Sequence, residues 1–213
     1  MSRLAAALAL ATASAAGRAA TVDVHVHDAA GGPVADTAVY AMPASGSVEA
    51  RPGKAVVQIE QVEREFVPYL TVLQTGTTAS FPNRDPILHH VYSFSPAKTF
   101  EIKLYTGQSP SSVTFDKPGV VTLGCNIHDW MIAYVLVVST PWFAKTDASG
   151  TAKLRDLPPG SYALHAWHPQ QRTGVEPVTV VIEGAASAPA LSFTIDVAPR
   201  RPKYKPPFDR LKY

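Results

Sequence analysis

The chain has 213 residues, a formal net charge of +2, 46% hydrophobic and 17% charged residues, the composition of an ordinary folded protein with one large domain or two small ones. With 19 prolines, 13 glycines and many Val and Thr residues, it calls for strands and turns rather than helices. The charge is uneven: without the N-terminal stretch and the segment after Pro199, 11 basic face 16 acidic residues, and nothing in that balance describes a nucleic-acid binder.

Residues 1–20 have the pattern of a signal peptide. Arg3 supplies the positive start, Leu4 to Ala13 is an apolar run too short for a bilayer, and small residues follow, with Ala15, Ala16 and Ala20 as candidate cleavage positions. The mature chain is then expected in an exported, disulfide-permissive compartment, the periplasm. No later apolar run is long enough to span a membrane.

Residues 21–54 open with Val22, Val24 and Val26 alternating with Asp23, His25 and His27, a strand with one buried face. Gly31-Gly32-Pro33 turns the chain, and Val34 to Met42 reads as the partner strand of a hairpin. His25 and His27 fall on its polar face as a solvated pair, because two ligands alone seldom close a metal site.

Residues 55–140 carry about eight short strands at the spacing of a sandwich or small barrel. Candidates are Ala55 to Glu60, Glu65 to Leu73, Thr78 to Phe81, and a strand through Tyr92 and Phe94. Thr99 to Tyr105 alternates, with Phe100, Ile102 and Leu104 expected inward. Further strands run through Val113 to Phe115, through Val121, Leu123 and Cys125 on one face, and through Met131 to Val138, apolar on both faces and so central. Pro82 to His90 is a loop, since its prolines exclude a helix. Residues 141–197 give strands at Ala152 to Leu154, Tyr162 to Trp167, Val178 to Glu183 and Ala190 to Val197. Here His165 and His168 read as structural or surface residues. Residues 198–213 are a basic, proline-rich tail suited to an acidic partner or an anionic membrane surface.

The chemistry concentrates in Cys125-Asn126-Ile127-His128-Asp129-Trp130-Met131. The single cysteine of an exported chain cannot close an internal disulfide, so it is a packed thiol, an intermolecular link or a ligand. Thiolate, imidazole and thioether within seven residues favour copper, and a fourth ligand is available from His89 or His90. Two imidazoles, one thiolate and a weak thioether are the donor set of a type 1, or blue, copper electron-transfer site. Zinc could use the His and Cys residues, but Met131 would add nothing to it.

Phe81-Pro82-Asn83-Arg84-Asp85 through His89-His90-Val91, followed by Cys-x2-His-x2-Met, resembles the cupredoxins, with the loop spacing of amicyanin. Leu123-Gly124-Cys125-Asn126-Ile127-His128-Asp129 is similar to cupredoxin-like proteins associated with methylamine utilisation. The resemblance implies an all-β, Greek-key β-sandwich holding one copper ion through His89, Cys125, His128 and Met131. It selects His89 over His90, and it gives Asn83 the role of a clamp that hydrogen-bonds across to the ligand loop. Amicyanin-like loops commonly follow the exposed histidine with proline; here Asp129 and Trp130 follow, and they are expected to face a partner. Val22 to Pro43 and Lys145 to Tyr162 resemble the two halves of a carboxypeptidase-regulatory or transthyretin-like β unit, into which the copper unit would be inserted.

The function expected is periplasmic transfer of single electrons between redox protein partners, without enzyme chemistry, since no His-rich type 2 or trinuclear copper cluster appears. Copper delivery or an assembly role is the alternative. The sequence leaves donor, acceptor and oligomeric state open.

Overall fold

Runs of β-branched residues at period two fold here as strands because each buries one face and leaves the other polar. The computed structural model describes residues 19–46, 48, 53, 55–184 and 190–199. The signal segment up to residue 18 and the tail from residue 200 lie outside the described residues. Among the described residues there are 17 strands and no helix, so the chain is all-β.

Ten strands lie between residues 57 and 138: β3 (Val57–Gln58), β4 (Glu60–Val62), β5 (Glu65–Val67), β6 (Leu70–Gln74), β7 (Thr77–Ser80), β8 (His89–Ser95), β9 (Lys98–Tyr105), β10 (Ser112–Phe115), β11 (Gly119–Gly124) and β12 (Ile132–Val138). They form a five-stranded sheet ordered β6-β12-β11-β8-β9, a three-stranded sheet ordered β10-β7-β3, and a small β4-β5 ribbon. Between the two larger sheets lies a core that includes Ile59, Phe66, Phe81, Val91, Phe115, Leu123 and Val135, each 1% exposed or less. We call this unit the central sandwich.

The flanking sandwich is built from both ends of the chain. β1 (Ala20–His27), β14 (Thr151–Leu157) and β17 (Leu191–Thr194) make one sheet. β2 (Ala38–Pro43), β13 (Phe143–Lys145), β15 (Gly160–Trp167) and β16 (Val178–Ile182) make the other. Val22, Val24, Leu154, Leu164 and Ile195 fill the space between them.

The opening hairpin expected from residues 22–42 does not form, because β1 and β2 belong to opposite sheets. The turn is tight, with Asp28 Oδ1 accepting from the amides of Ala30 and Gly32, and Val34 donates to Val26. At Asp36, with φ at 53°, the chain then crosses the core instead of continuing the ladder. The alternation of Thr99 to Tyr105 is also broken. Between the pairs His89 opposite Tyr105 and Val91 opposite Ile102, β9 carries one more residue than β8. This bulge turns Leu104 outward, to 49% exposure, and puts Tyr105 in the core.

β12 is apolar on both faces because both are covered. Ala133, Val135 and Val137 point into the central core, whereas Tyr134, Leu136 and Val138 meet Ala38, Tyr40, Phe143 and Trp167 of the flanking sandwich. The Tyr134 and Trp167 rings meet edge to face, with centroids 6.2 Å apart. Four sheets therefore stack with three apolar layers between them, and each side chain fully buried in the middle layer is worth about 1.5–3 kcal/mol.

Candidate metal centre

The site forms where β8 begins and where β11 hands over to β12. Gly124 pairs with both Tyr92 and Ile132, and a Cβ on it would meet the Tyr92 ring at 2.8 Å. Only glycine lets that ring lie on the strand at this point. Cys125 follows directly, facing inward at 3% exposure, as the parity of Val121 and Leu123 requires. The amide of Met131 donates to the His128 carbonyl (2.9 Å), closing the loop before β12 starts. Met131 is 1% exposed and sits in the same core cluster as Cys125.

Strand parity also separates the two adjacent histidines. His89 is fully buried and points at the loop: its Nδ1 lies 4.0 Å from Cys125 Sγ and 3.1 Å from His128 Nδ1, and His128 Nδ1 lies 3.8 Å from the sulfur. His90 points to the other face, where its Nε2 meets Glu101 at 3.0 Å and its ring packs beside Tyr92. The donor atoms of His89, Cys125 and His128 all lie within 4.8 Å of one another. The other histidines are elsewhere: His165 stacks on Tyr40 with centroids 4.9 Å apart, and His168 Nδ1 accepts from the Gln170 amide.

The electrostatics prepare a thiolate. Burial opposes ionisation of Cys125, but hydrogen bonds from His89 and from the backbone amides of His90, Ile127 and His128 outweigh it and hold the thiol below its ordinary range. Burial also opposes charge on His89, yet Cys125 and Asp85 together raise its affinity for a proton. Burial, then the neighbouring His89 and Arg64, lower that of His128. Two nitrogens and one sulfur this close, with a buried thioether in the same core, suit a soft or borderline metal and leave no place for the oxygen-rich shell of Ca²⁺ or Mg²⁺.

Asn83 is a clamp, but not across to residues 125–131. Its Nδ2 donates to the carbonyls of Ile87 and Tyr105 (both 2.8 Å), and its Oδ1 accepts from the Asp85 amide (2.9 Å). The inward bulge of Tyr105 brings that carbonyl within reach, so Asn83 shapes the loop leading to His89. Of the two residues expected to face a partner, Asp129 is exposed. Trp130 is half-buried against the central core, with its ring 5.2 Å from that of His128. It supports the loop from behind as well as bordering the surface.

Asp85 was missed from the sequence. Its Oδ2 accepts from His89 Nε2 at 2.7 Å. The available signal was its place four residues before the histidine, inside a loop already marked by Asn83 and two prolines. Gln61 was missed as well. Buried at 0% exposure, it donates to the Phe81 carbonyl (2.9 Å) and to the Tyr105 hydroxyl (2.6 Å), tying the small ribbon to the same loop.

No family model matches the chain, and no curated protein matches its sequence. Solved structures similar to it include a Cu-containing nitrite reductase from Thermus scotoductus SA-01, at 22% identity and a TM-score of 0.39 over 46% of this chain. The chain spans only 26% of that reductase. A purple cupredoxin from Nitrosopumilus maritimus aligns at 21% identity and a TM-score of 0.35, covering 38% of this chain and 99% of that one. A P52G mutant of amicyanin, in its reduced Cu(I) form, aligns at 19% identity and a TM-score of 0.37, covering 46% and 99%.

Proposed function

We propose that this chain holds a single copper ion through His89, Cys125, His128 and Met131 and passes single electrons between redox proteins in the periplasm. The observation that carries the reading is the convergence of His89 Nδ1 from the start of β8 with His128 Nδ1 and Cys125 Sγ from the β11–β12 loop, in a core that also contains Met131. Copper would supply a one-electron couple. The protein supplies the rest: a sulfur held in its thiolate range, imidazoles fixed by packing, and strands on both sides that resist rearrangement. Electron exchange is fast when the ligand cage changes little between oxidation states, and a cage rooted in β8, β11 and β12 meets that condition.

Burial argues for retention over delivery. His89, Cys125 and Met131 are each 3% exposed or less, so an ion held by them is shielded from exchange, and only the half-buried His128 reaches the surface. Its chain neighbours Ile127 and Asp129 are exposed, as is Leu88 next to His89. In this reading, that rim is where a partner docks and the basic tail adds contact to an acidic partner or an anionic membrane surface. The two ends of the chain form one transthyretin-like unit with the copper unit inserted in it, a division supported by the pairing of β1 with β14 and β17 and of β2 with β13 and β15. Ala20 is already the first residue of β1 and is buried against Leu157, which favours cleavage after Ala15 or Ala16.

Adding Cu(II) to the purified protein tests the reading. An intense thiolate-to-copper absorption with reversible one-electron cycling is expected. Binding of Cu(I) alone, with rapid release to an acceptor, would replace the carrier by the delivery role. The absence of any coloured complex would end the copper reading.

A further inference from the structure

We propose that the Glu63–Arg64 turn and Asp85 form a relay that positions His89 and raises the electron donation of its ring to the metal; this rests on the copper reading above. β4 and β5 pair antiparallel with Val62 opposite Glu65, which leaves a loop of only two residues. Both have positive φ, 53° at Glu63 and 61° at Arg64. That is the backbone of a type I′ turn, a geometry usually given to Asn-Gly because side chains crowd it. Here two large side chains occupy it, and the turn aims two successive amides at one carboxylate. The Glu63 amide donates to Asp85 Oδ1 (2.7 Å) and the Arg64 amide to Asp85 Oδ2 (2.8 Å).

The third donor is His89, whose Nε2 meets Oδ2 at 2.7 Å. The Asp85 amide is itself held by Asn83 Oδ1, and the Arg84 amide donates to the Gln61 carbonyl of β4 (2.8 Å). The carboxylate is thus fixed from both sides. The amides that hold it come from a strand pair that contributes none of the proposed ligands.

Two consequences follow for His89. An acceptor at Nε2 holds a proton there, so that once a metal replaces the Nδ1 contact to Cys125 it is the Nδ1 lone pair that faces the ion. A negatively charged acceptor also makes the imidazole more basic than a neutral carbonyl would, and so favours the higher oxidation state of a bound ion. Asp85 is therefore a positioning residue that also carries charge, and the turn is what holds it in place.

Asp85→Asn and Asp85→Ala separate geometry from charge, since asparagine keeps an acceptor and alanine keeps neither. In the metal-free protein, NMR should show the His89 Nε2–H as a hydrogen-bonded, slowly exchanging proton, and Asp85→Ala should lose that protection. Titration with Co(II), which needs no redox step, should show roughly 10–100-fold weaker binding by Asp85→Ala. In the copper-loaded protein, Asp85→Asn should raise the reduction potential while the fold, judged by circular dichroism, is kept. A protected His89 Nε2–H and wild-type Co(II) affinity in Asp85→Ala would overturn the relay, and an unchanged potential in Asp85→Asn would overturn its charge role. The NMR arm needs no metal, so a protein that took up neither copper nor cobalt would sink the copper reading and still leave the relay open to test.

Discussion

The two sandwiches of this chain follow the same folding rule and differ in what they bury. The flanking one packs Val22, Val24, Leu154, Leu157, Leu164 and Ile195, an aliphatic layer with little that titrates. The central one packs a comparable layer of Leu123, Val135 and three phenylalanines, but its loop end also buries Gln61, Asn83, His89 and Cys125. Burying a polar group is costly unless it is hydrogen-bonded, and apart from Gln61 Oε1 the side chains of Gln61, Asn83 and His89 are bonded to neighbouring side chains or backbone. One sandwich fills its middle almost wholly with aliphatic side chains; the other gives up part of its apolar end to hold a thiol and two imidazoles.

The contrast is testable, beginning with the change of largest effect. Cys125→Ser should abolish the visible absorption of the copper-treated protein while thermal unfolding stays close to that of the parent, because a buried hydroxyl replaces a buried thiol of similar size. Loss of the fold together with the colour would show that the thiol is chiefly structural. Next is the layer that joins the two units. Leu136 is 6% exposed between them, and Leu136→Asp leaves an unpaired carboxylate there at a cost of about 3–5 kcal/mol. Calorimetry should then show one unfolding transition divided into two, and a parent protein that already melts in two steps would disprove the coupling.

A smaller effect belongs to the flanking unit. Burial lowers the proton affinity of His165, and that of His168 as well, where nearby Asp36 only partly opposes it. The folded state then binds fewer protons than the unfolded state. Their contribution to stability is full above the ordinary histidine value of about 6.5 and is lost as the pH falls below it toward the lowered folded values. Melting temperatures across that window should drop on the acid side, and His168→Asn should flatten the drop. The smallest effect is expected at the turn. Glu63→Gly removes an exposed side chain from a left-handed backbone and should stabilise the protein by about 0.5–1 kcal/mol in chemical denaturation.

Much of this architecture was legible in the amino acids, for reasons that also explain the failures. Period-two alternation marked β1 and β11, and the two-sided apolarity of β12 marked it as central, because burial acts on each residue where it stands. The candidate site was readable in part for a similar reason: Cys125, His128 and Met131 are neighbours in the chain, whereas the residues alone left His89 and His90 open, only the resemblance favoured His89, and it is in the structure that strand parity divides the two. Facts that depend on distant partners were hidden. The bulge that exposes Leu104 is a property of β8 and β9 together, and the crossing at Asp36 depends on which sheet offers the better cover. Asp85 looked like a turn residue until the amides of Glu63 and Arg64, more than 20 positions away, were brought to its carboxylate.

The cover that the flanking sandwich lays over β6 and β12 also bears on how collisions succeed. A lone sandwich with a metal at one end can be approached across a wide cone of directions, including past the rim of its five-stranded sheet. In this chain, Tyr40, Phe143 and Trp167 stand against that sheet and cover it. Under the electron-transfer function proposed above, a partner would then have to come to the loop end, and the productive solid angle would narrow. Docking rates already fall to about 10⁵–10⁷ M⁻¹s⁻¹ when two specific patches must meet, and a narrower cone lowers them further unless long-range charge turns the molecules toward each other on approach.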